Sequence, residues 1–252
     1  MSPKTAKDIT EQNDNIQMAR RAVAAKTKTL DNVNIFESSL SNICDWKDKT
    51  FSFPNRTIRI GTLFSGIGAI EHAFQRLKLN TEIVFAGDID EKCKQSYFAN
   101  YDINPNNWFS DIRQFDASKY YGKADFIIGG APCQAFSMVG RRLGFEDARG
   151  TLFYEFARVI KETQPKVFLF ENVKGITSHD NGRTWKVIYS IFRELGYDIH
   201  FRVLNSKDYG IPQHRERIYC LGFRTPTDFV FPSPIPLEYE MYDFLEEYIN
   251  IK

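Results

Sequence analysis

A cysteine and a glutamate each follow an apolar run of the sequence, at the point where that run ends. The run ADFIIGG leads into Ala131-Pro132-Cys133, and the run KVFLF leads into Glu171. Most cysteines are inert core residues, but a cysteine held after a proline at a strand end can serve as a nucleophile when its thiol pKa is lowered. A carboxylate at the end of the neighbouring run supplies the acid that such a nucleophile needs. These residue types therefore indicate covalent catalysis by Cys133, assisted by Glu171.

Further polar residues accompany this pair. Asn172 directly follows Glu171, and the segment QHRER (residues 213–217) enters another apolar run. Side chains two positions apart in a strand lie on the same face, so the guanidinium groups of Arg215 and Arg217 can reach one pocket. We expect both arginines to face the same pocket.

A glycine-rich turn follows the first apolar run of the chain. TIRIGTLF leads into SGIGA, which contains Gly66 and Gly68, and the next run ends in Asp88. Such glycines let a nucleotide approach the backbone closely, and the acidic residue suits ribose hydroxyls. Glu71 stands where a dinucleotide fingerprint has its third glycine, and its charge is a poor neighbour for a pyrophosphate. The turn therefore indicates a nucleoside cofactor without phosphates, with a purely structural tight turn as the alternative. Asp111, after the third run, is either an acceptor for an adenine amino group or an ordinary loop aspartate.

These residues need a framework that brings strand ends together. From Ile58 onward, β-like runs alternate with amphipathic segments of helix length, such as IGAIEHAFQRLK and TLFYEFARVIKE. This alternation predicts βαβ units, and so an α/β, doubly wound, mostly parallel sheet with helices on both faces. After a helix at about 184–195, the runs at 198–205 and 216–223 are close enough in sequence to form an antiparallel pair at the sheet edge. The prolines of FVFPSPIPLEYE then break regular structure, and a short final helix is expected.

Composition limits the class of protein. A chain of 252 residues with 42% hydrophobic and 26% charged residues is typical of globular proteins and excludes disordered or collagen-like chains. No apolar run is long enough to cross a bilayer and the N-terminus is too polar for a signal peptide, so we expect a cytoplasmic protein. The four cysteines have neither metal-ligand nor disulfide spacing, and no metal site is expected. A net charge of +1 argues against binding nucleic acid by bulk charge alone.

The chain divides into three predicted parts. Residues 1–57 are polar, with a basic, helix-compatible stretch at 17–28, and form an accessory extension. Residues 58–224 form the catalytic and cofactor-binding domain, and residues 225–252 form a linker with a short helix. The extension is either a tail or helix packed on the outside, or a contact to DNA or a partner.

Five blocks of the sequence carry a resemblance to a known family. They are FSGIG, APCQAFS, RGTLF, ENVKG and YGIPQHRERIY, in this order between Ile58 and about Arg224. In these blocks the chain resembles the cytosine-C5 DNA methyltransferases, especially those of bacterial restriction-modification systems. The resemblance implies the Rossmann-like fold of S-adenosylmethionine-dependent methyltransferases, S-adenosyl-L-methionine as methyl donor and double-stranded DNA as substrate. It also implies association with the nucleoid through DNA.

The same resemblance implies roles for individual residues. Cys133 matches the thiolate that adds to C6 of a cytosine flipped out of the duplex, after which C5 takes the methyl group. Glu171 matches the carboxyl that hydrogen-bonds N3 and the exocyclic amine of that cytosine, and Asn172 matches the residue that fixes the glutamate loop. Arg217 matches the arginine near the cytosine O2, with Arg215 supporting the same wall.

Other positions match the cofactor pocket and the DNA contacts of the family. The implied cofactor-pocket residues are Phe64, Gly66, Ile67, Gly68, Asp88, Ile89, Asp111, Ile112, Pro132 and Leu152. Gln134 and Ser137 match positions that touch the DNA backbone or fill the space left by the flipped base. Two cofactor positions depart from the family: Asp88 is one methylene shorter than the usual glutamate, and Ile89 replaces an aromatic residue that stacks on adenine. We therefore expect modest cofactor affinity.

Two segments implied by the resemblance are not found in this sequence. The family has a target-recognition domain and then a GNS[VA] segment after the last block, and nothing after Arg224 resembles either. We therefore predict the catalytic subunit of a split, heterodimeric enzyme whose second chain supplies both. The alternatives are a truncated or non-catalytic DNA-binding scaffold, and methylation of transfer RNA, since some relatives share these blocks. Intact Cys133, Glu171 and Arg217 favour an enzyme.

Overall fold

The computed structural model describes residues 51–132 and 152–244. Several predictions lie outside the described residues: the basic stretch at 17–28 with most of the accessory extension, the nucleophile Cys133, and the DNA-contact residues Gln134 and Ser137. The fold of the described part shows the strand ends and the other predicted site residues.

Seven strands of the described part form one sheet, in the order β3-β2-β1-β4-β5-β7-β6. Strands β1 to β5 run parallel, whereas β7 is antiparallel to both β5 and β6. This confirms the α/β, doubly wound, mostly parallel fold with an antiparallel edge pair. The strands are β1 (Ile58–Leu63), β2 (Thr81–Gly87), β3 (Trp108–Phe109), β4 (Phe126–Gly129), β5 (Val167–Val173), β6 (Asp198–Asn205) and β7 (Glu216–Phe223).

Four α-helices lie in the described residues: α1 (Ala69–Arg76), α2 (Glu91–Asn100), α3 (Leu152–Thr163) and α4 (Arg183–Glu194). The last begins within one residue of the predicted start. Helix α2 begins after Asp90, whose carboxylate accepts hydrogen bonds from the backbone N–H groups of Lys92 and Cys93, as is typical of an aspartate N-cap.

Aromatic side chains fix α3 and α4 on the sheet. Phe168 and Phe170 alternate along β5 and are fully buried, so they point to the same face. Their rings lie 6.1 and 5.2 Å, between centroids, from Phe156 of α3, and 4.6 and 5.7 Å from Phe192 of α4. This packing holds β5, whose end carries Glu171, rigidly in the middle of the sheet.

Residues 224–240 have no regular secondary structure, as the prolines predict, and they pack along the outer strand. The N–H of Ile235 donates to the carbonyl of Asp208 (2.9 Å), and the Phe229 ring lies 5.8 Å from that of His200 on β6. The described part of the predicted final helix is a 3₁₀ turn, Met241–Phe244. Within the described ranges, no helix is long and apolar enough to cross a membrane, and no group of three His, Cys, Asp or Glu side chains could hold a metal.

Candidate active site

The parallel strands bring the predicted site residues to one edge of the sheet. Leu63 of β1 pairs with Gly87 of β2 and with Gly129 of β4, and Gly129 pairs with Phe170 of β5. The residues that follow these four positions are Phe64, Asp88, Gly130 and Glu171. The predicted cofactor turn and the predicted catalytic carboxylate therefore emerge side by side at the carboxyl edge, where open α/β sheets bind their ligands.

Glu171 and Arg217 form an ion pair at this edge. Arg217 Nε lies 3.1 Å from Glu171 Oε1, and both side chains are mostly buried. Burial raises the pKa of the Glu171 carboxyl, while the charges of Arg217 and Arg215 oppose that rise. The carboxyl thus keeps its proton to a higher pH than a free glutamic acid, which suits a group that must share a proton with a base.

Arg215 stands further out than Arg217. Its side chain is exposed, and its backbone N–H donates to Asn205 Oδ1 (3.1 Å) at the end of β6. The structure therefore brings both predicted arginines to the same strand end, but the direct contact to Glu171 is made by Arg217.

Tyr219 is a residue of this site that the sequence analysis missed. It lies directly opposite Glu171 in the antiparallel ladder, so the two side chains share a face with Arg217. Burial, and next the charge of Glu171, raise the pKa of the Tyr219 hydroxyl. The signal in the sequence was its alternate spacing after Arg215 and Arg217 in the same strand.

Asn172 connects this site to the nucleophile segment. Its side chain is 4% exposed, and its Nδ2 donates to the carbonyl of Ala131 (2.8 Å). Ala131 stands two residues before Cys133, with the exposed Pro132 between them. The bond therefore fixes the backbone leading to the predicted nucleophile against the strand that carries Glu171.

Gly130 leaves the space that the Glu171 carboxyl occupies. A Cβ atom built on Gly130 would lie 2.8 Å from Glu171 Oε2, closer than real Cβ contacts allow. The carboxyl is the far end of a flexible side chain and can turn away from Arg217, whereas the backbone oxygen of Glu171, 3.3 Å from that Cβ, must shift slightly. We expect Gly130→Ala to lower the rate of the reaction proposed below about tenfold or more, as sub-ångström displacement of a catalytic group does, with a fold that still unfolds cooperatively.

Gly175 provides the matched control for this prediction, because a Cβ built there meets nothing within 4 Å. Initial rates and thermal unfolding of the two variants measure the effect. Equal rates for Gly130→Ala and Gly175→Ala would contradict the assigned position of the Glu171 carboxyl.

The glycine turn after β1 has an unusual backbone. Phe64 has φ +56°, although it is not a glycine, and Gly66 and Gly68 have φ +56° and +89°. A positive φ at a large aromatic residue is strained and is typical of functional sites. A Cβ at Gly66 would meet no atom within 4 Å, so the backbone there borders open space that a ligand can enter.

Asp88 binds this turn from the end of β2. Its Oδ2 accepts from the N–H of Gly66 (2.9 Å), and its Oδ1 accepts from the N–H of Asp90 (2.9 Å). A carboxylate has about four acceptor positions, so ribose hydroxyls can still bind. The short side chain that the sequence analysis noted therefore also holds the turn itself.

The remaining predicted cofactor residues differ in their surroundings. Ile67 and Ile89 are large apolar side chains with 63% and 74% of their surface exposed at this edge. Asp111 is engaged by Arg113, whose Nη2 lies 2.7 Å from Asp111 Oδ2, and these hydrogen bonds lower the pKa of the aspartate. Ile112 lies in the hydrophobic core, and Leu152 packs against it.

Most of the chain matches a known protein family. Residues 58–248 match the family model described as C-5 cytosine-specific DNA methylase. The chain belongs to this family. The match includes all five sequence blocks and continues past Arg224. S-adenosylmethionine is the cofactor of this family, and the open space at Gly66 with the exposed Ile67 and Ile89 fits a nucleoside with an apolar base face.

Similar proteins include two methyltransferases of known class. The chain is 46% identical over 173 residues to the type II methyltransferase M.NgoBI of Neisseria gonorrhoeae, and the alignment covers 69% of this chain and 53% of that protein. It is 41% identical over 191 residues to the type II methyltransferase M.HhaI of Haemophilus parahaemolyticus, covering 75% and 57%. A prophage-encoded DNA modification methyltransferase from E. coli has a similar structure, with a TM-score of 0.53, 26% identity, and coverage of 72% of this chain and 52% of that one. The chain spans about half the length of the curated relatives it matches.

Proposed function

We propose that this chain carries the catalytic machinery for methyl transfer from S-adenosylmethionine to C5 of a cytosine in duplex DNA. The observation that supports this most is the Glu171–Arg217 pair (3.1 Å) on the strand whose Asn172 holds Ala131, two residues before Cys133. The carboxyl of raised pKa and the guanidinium lie at one strand edge, beside an open glycine turn, and Cys133 follows in the sequence two residues after Ala131. This set of groups suits attack on an electron-poor ring.

The reaction needs three groups from this chain. The thiolate of Cys133 adds to C6 of a flipped cytosine and forms a carbon–sulfur bond, while Glu171 shares its proton with N3 and accepts from the exocyclic amine. The electron pair released to C5 takes up a methyl group, which S-adenosylmethionine would supply when bound, with S-adenosylhomocysteine as the leaving group. Loss of the C5 proton to a solvent base then expels the thiolate and restores the aromatic ring. Arg217 places positive charge at the O2 side of the base, which favours the addition.

The residues proposed to hold the cofactor come from two loops, which follow β1 and β2. Phe64 and Gly66 border it with backbone, Asp88 accepts from the ribose hydroxyls, and the exposed Ile67 and Ile89 contact the base. Apolar side chains exclude water from the adenine faces but add no aromatic stacking.

Ile89 provides a test of this cofactor site. Because Ile89 is 74% exposed, tryptophan fits there without repacking the core. We expect Ile89→Trp to bind S-adenosylmethionine about threefold to tenfold more tightly, since aromatic stacking adds to area burial. Val187→Trp, on the exposed surface of α4, is the control. Isothermal titration calorimetry measures both, and an equal or weaker affinity for Ile89→Trp would place the adenine elsewhere.

The proposed activity is tested by transfer of labelled methyl from S-adenosylmethionine to mixed-sequence duplex DNA and, separately, to transfer RNA. We expect labelled 5-methylcytosine in DNA and no label in the RNA. Label in the RNA alone would favour methylation of transfer RNA, and no label in either, with the predicted second chain also present, would favour a non-catalytic scaffold.

The second subunit predicted from the sequence remains a prediction, and the same assay tests it. The chain is assayed alone and together with the product of the neighbouring reading frame. We expect activity in the mixture, and full turnover by this chain alone would contradict the need for a partner.

A further inference from the structure

Glu71 is a buried carboxylate beneath the glycine turn, and the reaction described above does not use it. It lies in the first turn of α1, and only 3% of the residue is exposed. Its Oε1 accepts hydrogen bonds from Thr62 Oγ1 (2.7 Å) and from Tyr97 Oη (2.6 Å). Among the described residues, its buried Oε2 has no hydrogen-bond partner. A carboxylate so deeply buried costs stability unless its contacts repay it.

Glu71 lies at the end of a chain of hydroxyl groups. A hydroxyl has a single proton, so Thr62, which donates to Glu71, can only accept from the Ser65 hydroxyl 2.9 Å away. The Ser65 hydroxyl has three acceptors within reach, Thr62 Oγ1 and the carbonyls of Thr62 (3.2 Å) and Gly87 (3.1 Å), and Ser65 Oγ accepts from the N–H of Gly87 (2.9 Å). Glu71 Oε1 is therefore linked through the hydroxyls of Thr62 and Ser65 to the N–H of Gly87. This path connects the glycine turn to β2.

Helix α2 is bound to the same turn at two points. Tyr97 donates to Glu71, and Tyr101 Oη donates to the carbonyl of Gly68 (2.6 Å). The Tyr101 ring also fills the space beside Gly68, where a Cβ would lie 2.1 Å from it. Burial raises the pKa of the Tyr97 hydroxyl well above its usual range, so it remains a donor. The turn is thus fixed from β1, β2, α1 and α2 at once.

We propose that Glu71 is a positioning residue for the cofactor turn, and that it acts as a hydrogen-bond acceptor at Oε1 for Thr62 and Tyr97. We infer that its charge is not required, since Oε2 has no hydrogen-bond partner in the described residues. This inference rests on the proposed cofactor site at Gly66 and Asp88. It explains why a glutamate stands where a dinucleotide-binding turn has its third glycine: the side chain faces the interior.

The test compares Glu71→Gln with Glu71→Ala. Glutamine keeps the acceptor at Oε1, so we expect its affinity for S-adenosylhomocysteine, measured by calorimetry, to stay within about threefold of the wild type. Alanine removes the acceptor that Thr62 and Tyr97 share, and we expect affinity to fall about tenfold or more. Tyr97→Phe, which removes one hydroxyl and leaves the ring, is expected to lie between them. Gln75→Ala, an exposed position of the same helix, is the control.

Amide hydrogen exchange provides a readout that does not depend on cofactor binding. In Glu71→Ala, the amides of Ser65 and Gly68, which donate to Gly87 and Ser65 carbonyls, should exchange faster, with those of β5 unchanged. Wild-type affinity and wild-type exchange in Glu71→Ala would overturn the proposal, as would a glutamine variant as impaired as the alanine variant. If the wild type bound no S-adenosylhomocysteine, the cofactor proposal would fail, and the exchange comparison alone would decide the role of Glu71.

Discussion

Replacing Cys133 by serine is expected to lower methyl transfer by more than about a thousandfold, because the hydroxyl is a far weaker nucleophile than a thiolate. Binding of DNA and of S-adenosylhomocysteine should be retained, since the substitution removes one reactive atom and leaves the glycine turn and the Glu171–Arg217 pair in place. Initial rates of labelled methyl transfer measure the loss, and calorimetry measures the retained cofactor affinity.

Cys93 provides the control for this experiment. It is a half-buried free cysteine of α2, and burial together with the charges of Asp88 and Asp90 raises the pKa of its thiol, which makes it a poor nucleophile. Cys93→Ser should keep the wild-type rate. A large loss in Cys93→Ser, with Cys133→Ser active, would exclude the proposed nucleophile.

Glu171→Gln is expected to lower the rate about a hundredfold or more, as the loss of a proton-transferring side chain does. Glutamine can still hydrogen-bond the base, but it cannot share a proton with N3. Glu216→Gln is the control, because Glu216 lies at the same strand end and pairs with Lys174 (3.0 Å). Equal losses in the two variants would indicate a general effect of removing negative charge near the site.

The raised pKa of the Glu171 carboxyl also leads to a prediction of how the rate depends on pH. Burial raises the pKa of Glu171, and Arg217 opposes that rise, so the protonated fraction falls as pH increases through the raised value. Replacing Arg217 by glutamine should raise this pKa further, and the alkaline limb of kcat/KM should move to higher pH, while Arg217→Lys should move it less. A shift of the limb to lower pH would contradict the ion pair described here.

Sequence patterns predicted the strands well because their signals are local. The runs at 198–205 and 216–223 are observed as β6 and β7 with the same bounds. Once the strands are parallel, the topology alone brings Asp88 and Glu171 to one edge. The site's main residues could thus be placed together before any coordinate was known.

Other features depend on contacts between distant segments, which periodicity does not encode. Glu71 carries a charge at the start of a helix, where exposure is the ordinary expectation, and its burial follows from Thr62 and Tyr97. The alternate spacing after Arg215 and Arg217 places Tyr219 on their face of the strand, but its position opposite Glu171 depends on the register of β5 and β7. The hydrogen bond from the N–H of Gly66 to Asp88 likewise forms only because the turn folds back toward the end of β2.

The central claim, covalent addition of Cys133 to C6 of cytosine, is tested most directly with duplex DNA that contains 5-fluorocytosine. Fluorine at C5 cannot leave as a proton does, so the thiolate cannot be expelled after methyl transfer and the adduct persists. In the presence of S-adenosylmethionine, we expect a covalent protein–DNA complex that survives denaturation. The modified peptide should contain Cys133. Normal methylation of unmodified cytosine without such a complex, or a complex on Cys93 or Cys220, would contradict it.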